Sequence, residues 1–446
     1  MRRILVFLLV LSSGNALSSG NALAAGFAVR EQSTRAMGSA YAGAAANADD
    51  ASSLAYNPAA ASVAEGGDVS LDMVGIFPGS SASYPTALTS AGTAASGSRT
   101  VNGFIRNAVI PDLAIRQRLS DKWSAGLSVS VPWGLATDYP ASYAGRYYGL
   151  DTKLTTVNVT PVVSYDILPD LTVAGGFQAQ YAKGTLSSAI DVGTLGALSA
   201  IPGSIPGASD SIATVNAHSW AYGYVLGGRA VIGDWTLGLS YRSAVHHTLK
   251  GPLTFTLDSG GLGAAIRAAD GLLTDTTSRT ALTTPDVVEA GVRKKIDDRW
   301  TALLEADWTD WSVFHQLQVN AANPAQPPDL TNAQWHNSWL AAVGAEFAAS
   351  DDWLLRGGFA YDGSPIPNAT LNPRIPDADR YWISAGVSYR AITALDINLA
   401  LSHLFNDTRD VDLSPTQPGN ALRGALAGTT ASDVNVIGLQ AVYRWL

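Results

Sequence analysis

Residues 123–133 read Trp-Ser-Ala-Gly-Leu-Ser-Val-Ser-Val-Pro-Trp, and the fold is decided by this pattern. Apolar residues alternate with polar or small ones, in the row Trp123, Ala125, Leu127, Val129, Val131 and Trp133. Successive side chains of a β-strand point to opposite faces, so the stretch predicts a strand with one apolar and one polar face. An apolar row with aromatic residues at both ends is typical of strands that cross a membrane between two aromatic girdles.

The same period of two recurs in stretches 171–181, 235–241, 353–361 and 381–389, and most of these rows begin or end with Trp or Tyr. A soluble all-β protein is the alternative interpretation, but it would place its aromatic side chains in mid-strand, within the core. The pattern therefore predicts an all-β, antiparallel transmembrane β-barrel.

Composition excludes several other classes of protein. The chain has 446 residues, of which 15% are charged, and its mean hydropathy of +0.10 is far below that of a bundle of membrane helices. It contains no Cys, which excludes disulfides, thiolate metal sites and a Cys nucleophile. The net charge of -9 argues against a nucleic acid as partner, because nucleic-acid binding needs a basic surface.

The N-terminus has the features of an export signal. Arg2 and Arg3 precede an apolar run at 4–11 that is too short to span a bilayer. Small residues at Ala22 and Ala24 fit a cleavage site, so residues 1–24 are predicted to be a signal peptide. With the predicted barrel, this places the protein in the bacterial outer membrane.

Alternating connection lengths support the barrel. Short turns occur at 119–122, 168–170, 232–234, 296–299 and 350–352. Long Gly-, Ser- and Pro-rich stretches lie between them, at 79–100, 134–150, 184–211, 251–284, 320–333, 362–379 and 406–431. Outer-membrane barrels have short periplasmic turns and long outer loops. We predict about fourteen strands within residues 68–446.

Residues 25–67 do not alternate and are rich in Gly and Ala. A segment of this size is too small to form a stable core by itself. A fourteen-stranded barrel is wide enough to contain it. We therefore predict that residues 25–67 form a plug, or hatch, in the lumen.

No catalytic or metal-binding constellation is apparent, and no cofactor motif is present. His246 and His247 are adjacent, so on one strand they would face opposite sides and could not bind one ion together. Glu305 and Asp307 share a polar face, where we expect ion pairs with lumenal residues such as Arg242, Arg293 and Arg356.

Several motifs in order resemble the FadL-type outer-membrane transporters, whose branches carry long-chain fatty acids or aromatic hydrocarbons. The motifs are Ala25-Gly26-Phe27, Ala40-Tyr41-Ala42-Gly43, Ala48-Asp49-Asp50-Ala51, Asn57-Pro58-Ala59, Trp311-Ser312-Val313-Phe314-His315-Gln316-Leu317, Tyr361-Asp362-Gly363-Ser364-Pro365-Ile366-Pro367 and residues 375–382. Stretches 131–135 and 145–147 are more similar to the hydrocarbon branch. The resemblance covers essentially the whole chain after the signal peptide.

The resemblance implies a fourteen-stranded barrel plugged by an N-terminal hatch, with no cofactor. Hydrophobic substrates would enter from the outer loops, reach a lumenal pocket near the N-terminus and leave sideways through a gap made by a kinked strand. The candidate pocket and hatch residues are Gly26, Phe27, Asn57 and Pro58. The candidate lumenal basic residues are Arg116, Lys183 and Arg356.

One departure bears on the substrate. Fatty-acid members of the family carry Lys directly after the Trp-Ser-x-Phe-x-Gln-Leu segment, where this chain has Gln318. The absence of that Lys favours a neutral ligand, because a buried carboxylate without a basic partner is costly.

The prediction is nonetheless passive uptake of hydrophobic molecules, most of all long-chain fatty acids. The alternatives are transport of neutral aromatic or aliphatic hydrocarbons, a general porin, and a barrel lipase. The expected partners are outer-membrane lipid, including lipopolysaccharide, and a hydrophobic small molecule, and the protein is expected to be a monomer.

Overall fold

The computed structural model describes residues 26–445, so the predicted signal peptide lies outside the described residues. Fourteen strands form the sheet, and several of them are interrupted and consist of two segments. They are β1 (Gly67–Leu88), β2 (Thr100–Asn102 and Ala108–Arg118), β3 (Trp123–Ser130 and Gly134–Asp138), β4 (Asp151–Leu168), β5 (Leu171–Asp191), β6 (Asp210–Ile232), β7 (Trp235–Arg242 and Val245–Thr256), β8 (Thr276–Thr284 and Val287–Lys295), β9 (Trp300–Thr309 and Gln316–Ala321), β10 (Asp329–Asn332 and Ser338–Ala348), β11 (Trp353–Asp362), β12 (Arg380–Ile392), β13 (Leu395–Asn406 and Arg409–Leu413) and β14 (Ala425–Trp445).

The sheet closes on itself. Each strand pairs antiparallel with its sequence neighbours, and β1 pairs with β14 from Gly67 opposite Trp445 to Leu88 opposite Ala425. Closure leaves no free sheet edge, as a strand structure in lipid requires. The predicted fourteen-stranded antiparallel barrel is confirmed.

Short turns and long loops lie at opposite ends of the barrel, as predicted. The strands, however, extend beyond the predicted boundaries. β1 continues through Leu88 into the predicted loop 79–100, and β5 continues through Asp191 into the predicted loop 184–211. Backbone pairing needs no apolar side chains, so the sheet continues outside the membrane where alternation is lost. Two helices, α2 (Val192–Leu198) and α3 (Leu262–Asp270), and the 3-10 turns Trp311–Val313 and Asn368–Thr370 lie in the connections and strand breaks at this end.

The outer surface carries the apolar belt. Leu127 and Leu355 are 37% and 43% exposed, whereas their neighbours Ser128 and Arg356 are buried on the inner face. This confirms the predicted inside and outside faces. Trp residues after four of the short turns form a girdle at the periplasmic end: Trp123, Trp235, Trp300 and Trp353. No helix of the described residues is long and apolar enough to cross a membrane.

The last residues of the stretch 123–133 do not follow the predicted alternation of faces. Val131 and Trp133 were expected to lie in the outward apolar row, but they are only 5% and 3% exposed. β3 is interrupted between Ser130 and Gly134, and the intervening residues turn into the barrel. Pro132 has no backbone amide to donate to a neighbouring strand, which favours a break at this position.

The segment before β1 lies inside the barrel. It contains α1 (Thr34–Met37) and the 3-10 turns Ala51–Ala55 and Pro58–Ala61, which are capped by Ser33, Asp50 and Asn57. We call residues 26–66 the hatch. It contacts inward-facing residues of strands around the whole barrel, among them Gly126, Gly238, Gly358 and Gly438.

Glycines on the barrel wall allow the hatch backbone to come close. A methyl group on Gly238 would lie 2.0 Å from the carbonyl oxygen of Ala45, and one on Gly358 would lie 2.0 Å from that of Ser39. Only glycine fits at such close approach. These contacts fix the position of the hatch against two strands of the wall, β7 and β11.

Charged side chains of the barrel wall also hold the hatch, through an ion pair and a hydrogen bond. Arg30 of the hatch forms a 2.5 Å ion pair with Asp307, and Glu305 accepts a hydrogen bond from the backbone amide of Ala45. The partners of Glu305 and Asp307 are therefore hatch groups, and not the barrel arginines that the sequence suggested.

Candidate ligand-binding site

The first residues of the hatch pair with the inward-turned part of β3. The amide of Val29 donates to the carbonyl oxygen of Pro132 at 2.8 Å, and the amide of Gly134 donates to that of Phe27 at 2.8 Å. Ala28 and Trp133 thus form an antiparallel bridge. The kink at 131–133 is held by backbone hydrogen bonds to the N-terminal segment.

Phe27 lies at the centre of an aromatic cluster. Its ring centroid is 4.6 Å from that of Trp311, 5.6 Å from those of Phe314 and Trp335, and 6.0 Å from that of Trp133. The side chain is only 1% exposed. Because Trp133 belongs to the kink, this cluster connects the strand break to β9 and β10.

Gly26 fits beneath the same cluster. Its φ of +66° lies in the left-handed region, and a methyl group there would lie 2.6 Å from the Trp335 ring. Its amide donates to Asp377 Oδ2 at 3.0 Å, and Asp377 in turn pairs with the buried Arg380. Gly26 is thereby joined to the outer loop 363–379.

An apolar cavity lies directly above Phe27. It holds about 820 Å³ of empty space, part of it open to solvent. The side chains that make it apolar include Leu135, Leu154, Leu249, Leu282, Leu317, Ile366 and Ile375.

A second cavity adjoins the first on the side of the outer loops. It holds about 1350 Å³ of empty space, again partly open to solvent, and shares Leu186, Val215 and Arg374 with the first. Phe255, Pro327 and Leu422 add apolar surface to it. The two cavities are therefore neighbours between the outer loops and Phe27.

Arg374 is the functional candidate that sequence reasoning missed. It is 5% exposed, and its Nη1 donates to Thr152 Oγ1 at 3.1 Å and to the carbonyl oxygen of Ser187 at 3.2 Å. It forms no ion pair with any described carboxylate, since nearby Asp329 pairs with Arg423. Burial lowers the pKa of Arg374 to about 10. A buried guanidinium without an ion pair therefore lies at the junction of the two cavities.

The candidate pocket residues occupy different places. Phe27 lines the cavity, and Gly26 supports its aromatic base. Asn57 and Pro58 lie in the hatch but do not line the cavity. Asn57 Nδ2 donates to the carbonyl oxygens of Ala45 at 2.7 Å and Gly228 at 3.1 Å, so these residues hold the hatch to the wall.

None of the three candidate basic residues lines either apolar cavity. Arg116 pairs with Asp68 at 2.7 Å and donates to hatch carbonyl oxygens, and Arg356 donates to Ser388 and Asn398. Both face the lumen. Lys183 was wrongly placed in the lumen: it is exposed on the outer face, because it shares the face of Tyr181 in β5.

Gln318 also points away from the cavity. Its neighbour Leu317 lines the cavity, whereas Gln318 donates to Asn320 at 2.7 Å on the opposite face of β9. The substitution of Lys by Gln at this position therefore gives no evidence for a neutral ligand in this chain.

The barrel wall is open beside the kink. β2 and β3 pair only from Leu113 opposite Val129 to Arg118 opposite Ser124, and they meet again at Ile105 and Thr137. Between these points, residues 108–112 of β2 pair with β1 alone. We call this gap the lateral opening. It lies next to Phe27, whose carbonyl oxygen accepts the hydrogen bond from the amide of Gly134 on the other side of the kink.

No metal-binding group of three or more His, Asp or Glu side chains occurs within residues 26–445. His246 faces outward and His247 faces inward, as their adjacency requires.

Comparison with known proteins agrees with this architecture. The family described as "Outer membrane protein transport protein (OMPP1/FadL/TodX)" matches residues 15–445. The long-chain fatty acid transport protein of Escherichia coli K12 is 28% identical over 424 residues, covering 90% of this chain and 93% of the relative. The putative outer membrane protein NMB0088 of Neisseria meningitidis is 27% identical and covers 93% of each chain.

Solved structures give the same result. A Pseudomonas aeruginosa FadL homologue superposes with a TM-score of 0.84 at 25% identity, covering 94% of this chain and 99% of that chain. The Pseudomonas putida toluene transporter TodX shares the fold, with a TM-score of 0.65 at 16% identity, covering 88% of this chain and 94% of that chain. The chain belongs to the OMPP1/FadL/TodX family of outer membrane transport proteins, and is therefore a transporter of hydrophobic compounds rather than an enzyme.

Proposed function

We propose that this protein takes up long-chain fatty acids, and that Arg374 binds the carboxylate while the cavity above Phe27 holds the hydrocarbon tail. The observation that carries the proposal is the buried guanidinium of Arg374, which forms no ion pair with a described carboxylate and lies against a mostly apolar cavity that Lys153 also lines. Burial of an unpaired charge is costly, so a ligand carboxylate would stabilise this arrangement. The name of the Escherichia coli relative agrees with this substrate class.

The path of the substrate follows from the apolar surfaces. It enters the second cavity between the outer loops, passes Arg374 and reaches the cavity above Phe27. Displacement of Phe27 connects that cavity to the lateral opening, from which the substrate leaves into the membrane. Uptake is passive and follows the concentration gradient.

A second candidate substrate is a neutral aromatic hydrocarbon. The cluster of Phe27, Trp311, Phe314 and Trp335 at the base of the cavity favours it, because aromatic rings pack edge to face with such ligands. The solved toluene transporters of the same fold agree with this alternative. A general porin is disfavoured by the hatch, which fills the lumen.

Ligand binding by Arg374→Gln distinguishes the two substrates. We expect the variant to bind palmitate more weakly than the wild type by about 2–5 kcal/mol, because a buried carboxylate loses its partner, and to bind hexadecanol equally well. Arg374→Lys should restore part of the palmitate affinity. Calorimetry on protein in detergent measures both ligands.

Arg106→Gln is the matched control, since Arg106 is exposed, pairs with Asp138 and lines neither cavity. It should change neither affinity. Equal loss of palmitate and hexadecanol in Arg374→Gln would contradict a carboxylate site, and unchanged palmitate binding with tight toluene binding would favour the hydrocarbon.

We also propose that the barrel functions as a monomer surrounded by outer-membrane lipid. Its apolar outward side chains are distributed over strands around the barrel, among them Leu71, Leu127, Leu239, Leu304, Leu355, Leu399 and Leu439. The molar mass of the detergent complex, measured by light scattering, tests this oligomeric state.

A further inference from the structure

Four basic side chains are aligned across neighbouring strands on the outer face of the barrel. Lys183 of β5 lies opposite His218 of β6, His218 lies opposite Lys250 of β7, and Lys250 lies opposite Arg279 of β8. All four are exposed. We call this set the cationic row. Strands are about 4.8 Å apart, so the row is about 14 Å wide.

The cationic row has no counter-charges of its own. None of its members forms an ion pair with a described carboxylate, although the lumenal cations Arg116 and Arg293 do. Stretches 177–190, 212–226, 245–256 and 276–284, which surround the row on its four strands, contain no Asp or Glu. The row is therefore a concentrated positive surface on a chain with a net charge of -9.

The height of the row places it at the outer surface of the membrane. Lys183 is twelve residues along β5 from Leu171, which follows a periplasmic turn. At about 3.3 Å per residue and a tilt of about 40°, Lys183 lies about 30 Å above that turn. The apolar band of such barrels is about 25 Å tall.

Aromatic side chains lie directly below the row. Tyr181 precedes Lys183 on the same face, and Trp220 follows His218 in the same way. Trp220 is 56% exposed, and its ring lies 5.3 Å from that of Tyr181. Tyr and Trp mark the level of lipid head groups, so the row begins where the head groups of the outer leaflet begin.

We propose that the cationic row binds the phosphorylated head group of lipopolysaccharide, the anionic lipid of the outer leaflet. Its width lets it contact more than one phosphate of the same head group. The proposal goes beyond substrate transport and rests only on the position of the barrel in the outer membrane.

Other occupants fit the row less well. A fatty acid on its way to the cavity would use the inner face, whereas the row lies outside the barrel. A second copy that met this face symmetrically would bring like charges together.

The triple variant Lys183→Gln/Lys250→Gln/Arg279→Gln tests the proposal. Lys122→Gln/Lys295→Gln/Arg299→Gln is the matched control, because it removes three exposed cations at the periplasmic turns. The probe is purified lipopolysaccharide, intact or enzymatically dephosphorylated, bound to protein in detergent and measured by native mass spectrometry. The triple variant should bind intact lipopolysaccharide about tenfold more weakly than the wild type and the control. Dephosphorylation should weaken binding to the wild type to a similar extent.

Several outcomes would overturn the proposal: equal binding by the triple variant and the control, equal binding of dephosphorylated lipid, displacement of the lipid by palmitate, or a wild-type dimer that the triple variant abolishes. The shift in electrophoretic mobility on heating reports whether each barrel has assembled. If the triple variant does not assemble, Lys250→Gln alone is compared with Lys122→Gln alone, and a weaker affinity only for the former supports the site.

Discussion

A methyl group placed on the inner barrel wall should dislodge the hatch. Gly358 and Gly238 face inward, and a methyl group on either would lie 2.0 Å from a hatch carbonyl oxygen. Gly357 and Gly228 face outward, and a methyl group on either would have no neighbour closer than 3.8 Å. The double variants Gly238→Ala/Gly358→Ala and Gly228→Ala/Gly357→Ala therefore add the same atoms to opposite faces.

The magnitude follows from these distances. Carbon atoms of real side chains essentially never approach within 3.0 Å, so Ser39 and Ala45 must each move by at least about 1 Å. Overpacking of this kind typically costs about 1–3 kcal/mol per site, or about 2–6 kcal/mol if the two sites add. Movement of Ala45 also weakens the hydrogen bond that its carbonyl oxygen accepts from Asn57. The strand pairing of the barrel is unaffected.

Ion conductance in planar bilayers measures the result. We expect the inward double variant to show larger or more frequent conducting events than the wild type, because the displaced hatch no longer fills the lumen. The outward double variant should behave like the wild type. The heat-dependent electrophoretic shift verifies that both barrels are assembled.

An inward double variant that assembles and conducts no more than the outward one would contradict a hatch held in place by these contacts. Removal of residues 25–59 should then be examined in the same bilayer, and an unchanged conductance there would show that the hatch does not seal the lumen.

Two further changes probe the belt and the hatch. Leu355→Arg, at mid-height of the lipid-facing belt, should lower the free energy of unfolding by about 2–4 kcal/mol in urea titrations, whereas Leu198→Arg in the outer helix α2 should have little effect; equal effects would contradict the assigned faces. Glu31 lies buried in the hatch, and burial raises its pKa from 4.5 to about 7. The folded protein then holds a proton that the unfolded chain releases, so stability should fall as the pH rises from about 4.5 to about 7 and stay level above. The thermal midpoint of the wild type should be lower at pH 8 than at pH 5, and Glu31→Gln should reduce that difference; an unchanged difference would exclude a contribution from Glu31.

The barrel could be predicted from the amino-acid sequence alone, because lipid-facing positions are apolar while their neighbours face a polar lumen. That requirement repeats in each strand and is local, so it can be detected without knowledge of which strands pair. The hatch could be predicted because residues 25–67 lack the alternation that lipid contact imposes on a barrel strand. The outward direction of the Lys183 side chain could also have been predicted from the sequence, since alternation from Phe177 and Tyr181 places it on the outer face.

The places where the strands depart from this pattern depend on tertiary contacts and could not be predicted from the sequence. Alternation continues through Val131 and Trp133, and the inward turn depends on backbone hydrogen bonds to Phe27 and Val29, about one hundred residues earlier in the chain. Near the cavity the inner face is itself apolar, so Leu317 resembles a lipid-facing residue in sequence. Arg374 lies in a loop without any period, and its partners Thr152 and Ser187 come from β4 and β5. Alternation records only which face a side chain occupies, whereas a binding site depends on which distant segments meet, and that is fixed by closure of the barrel around the hatch.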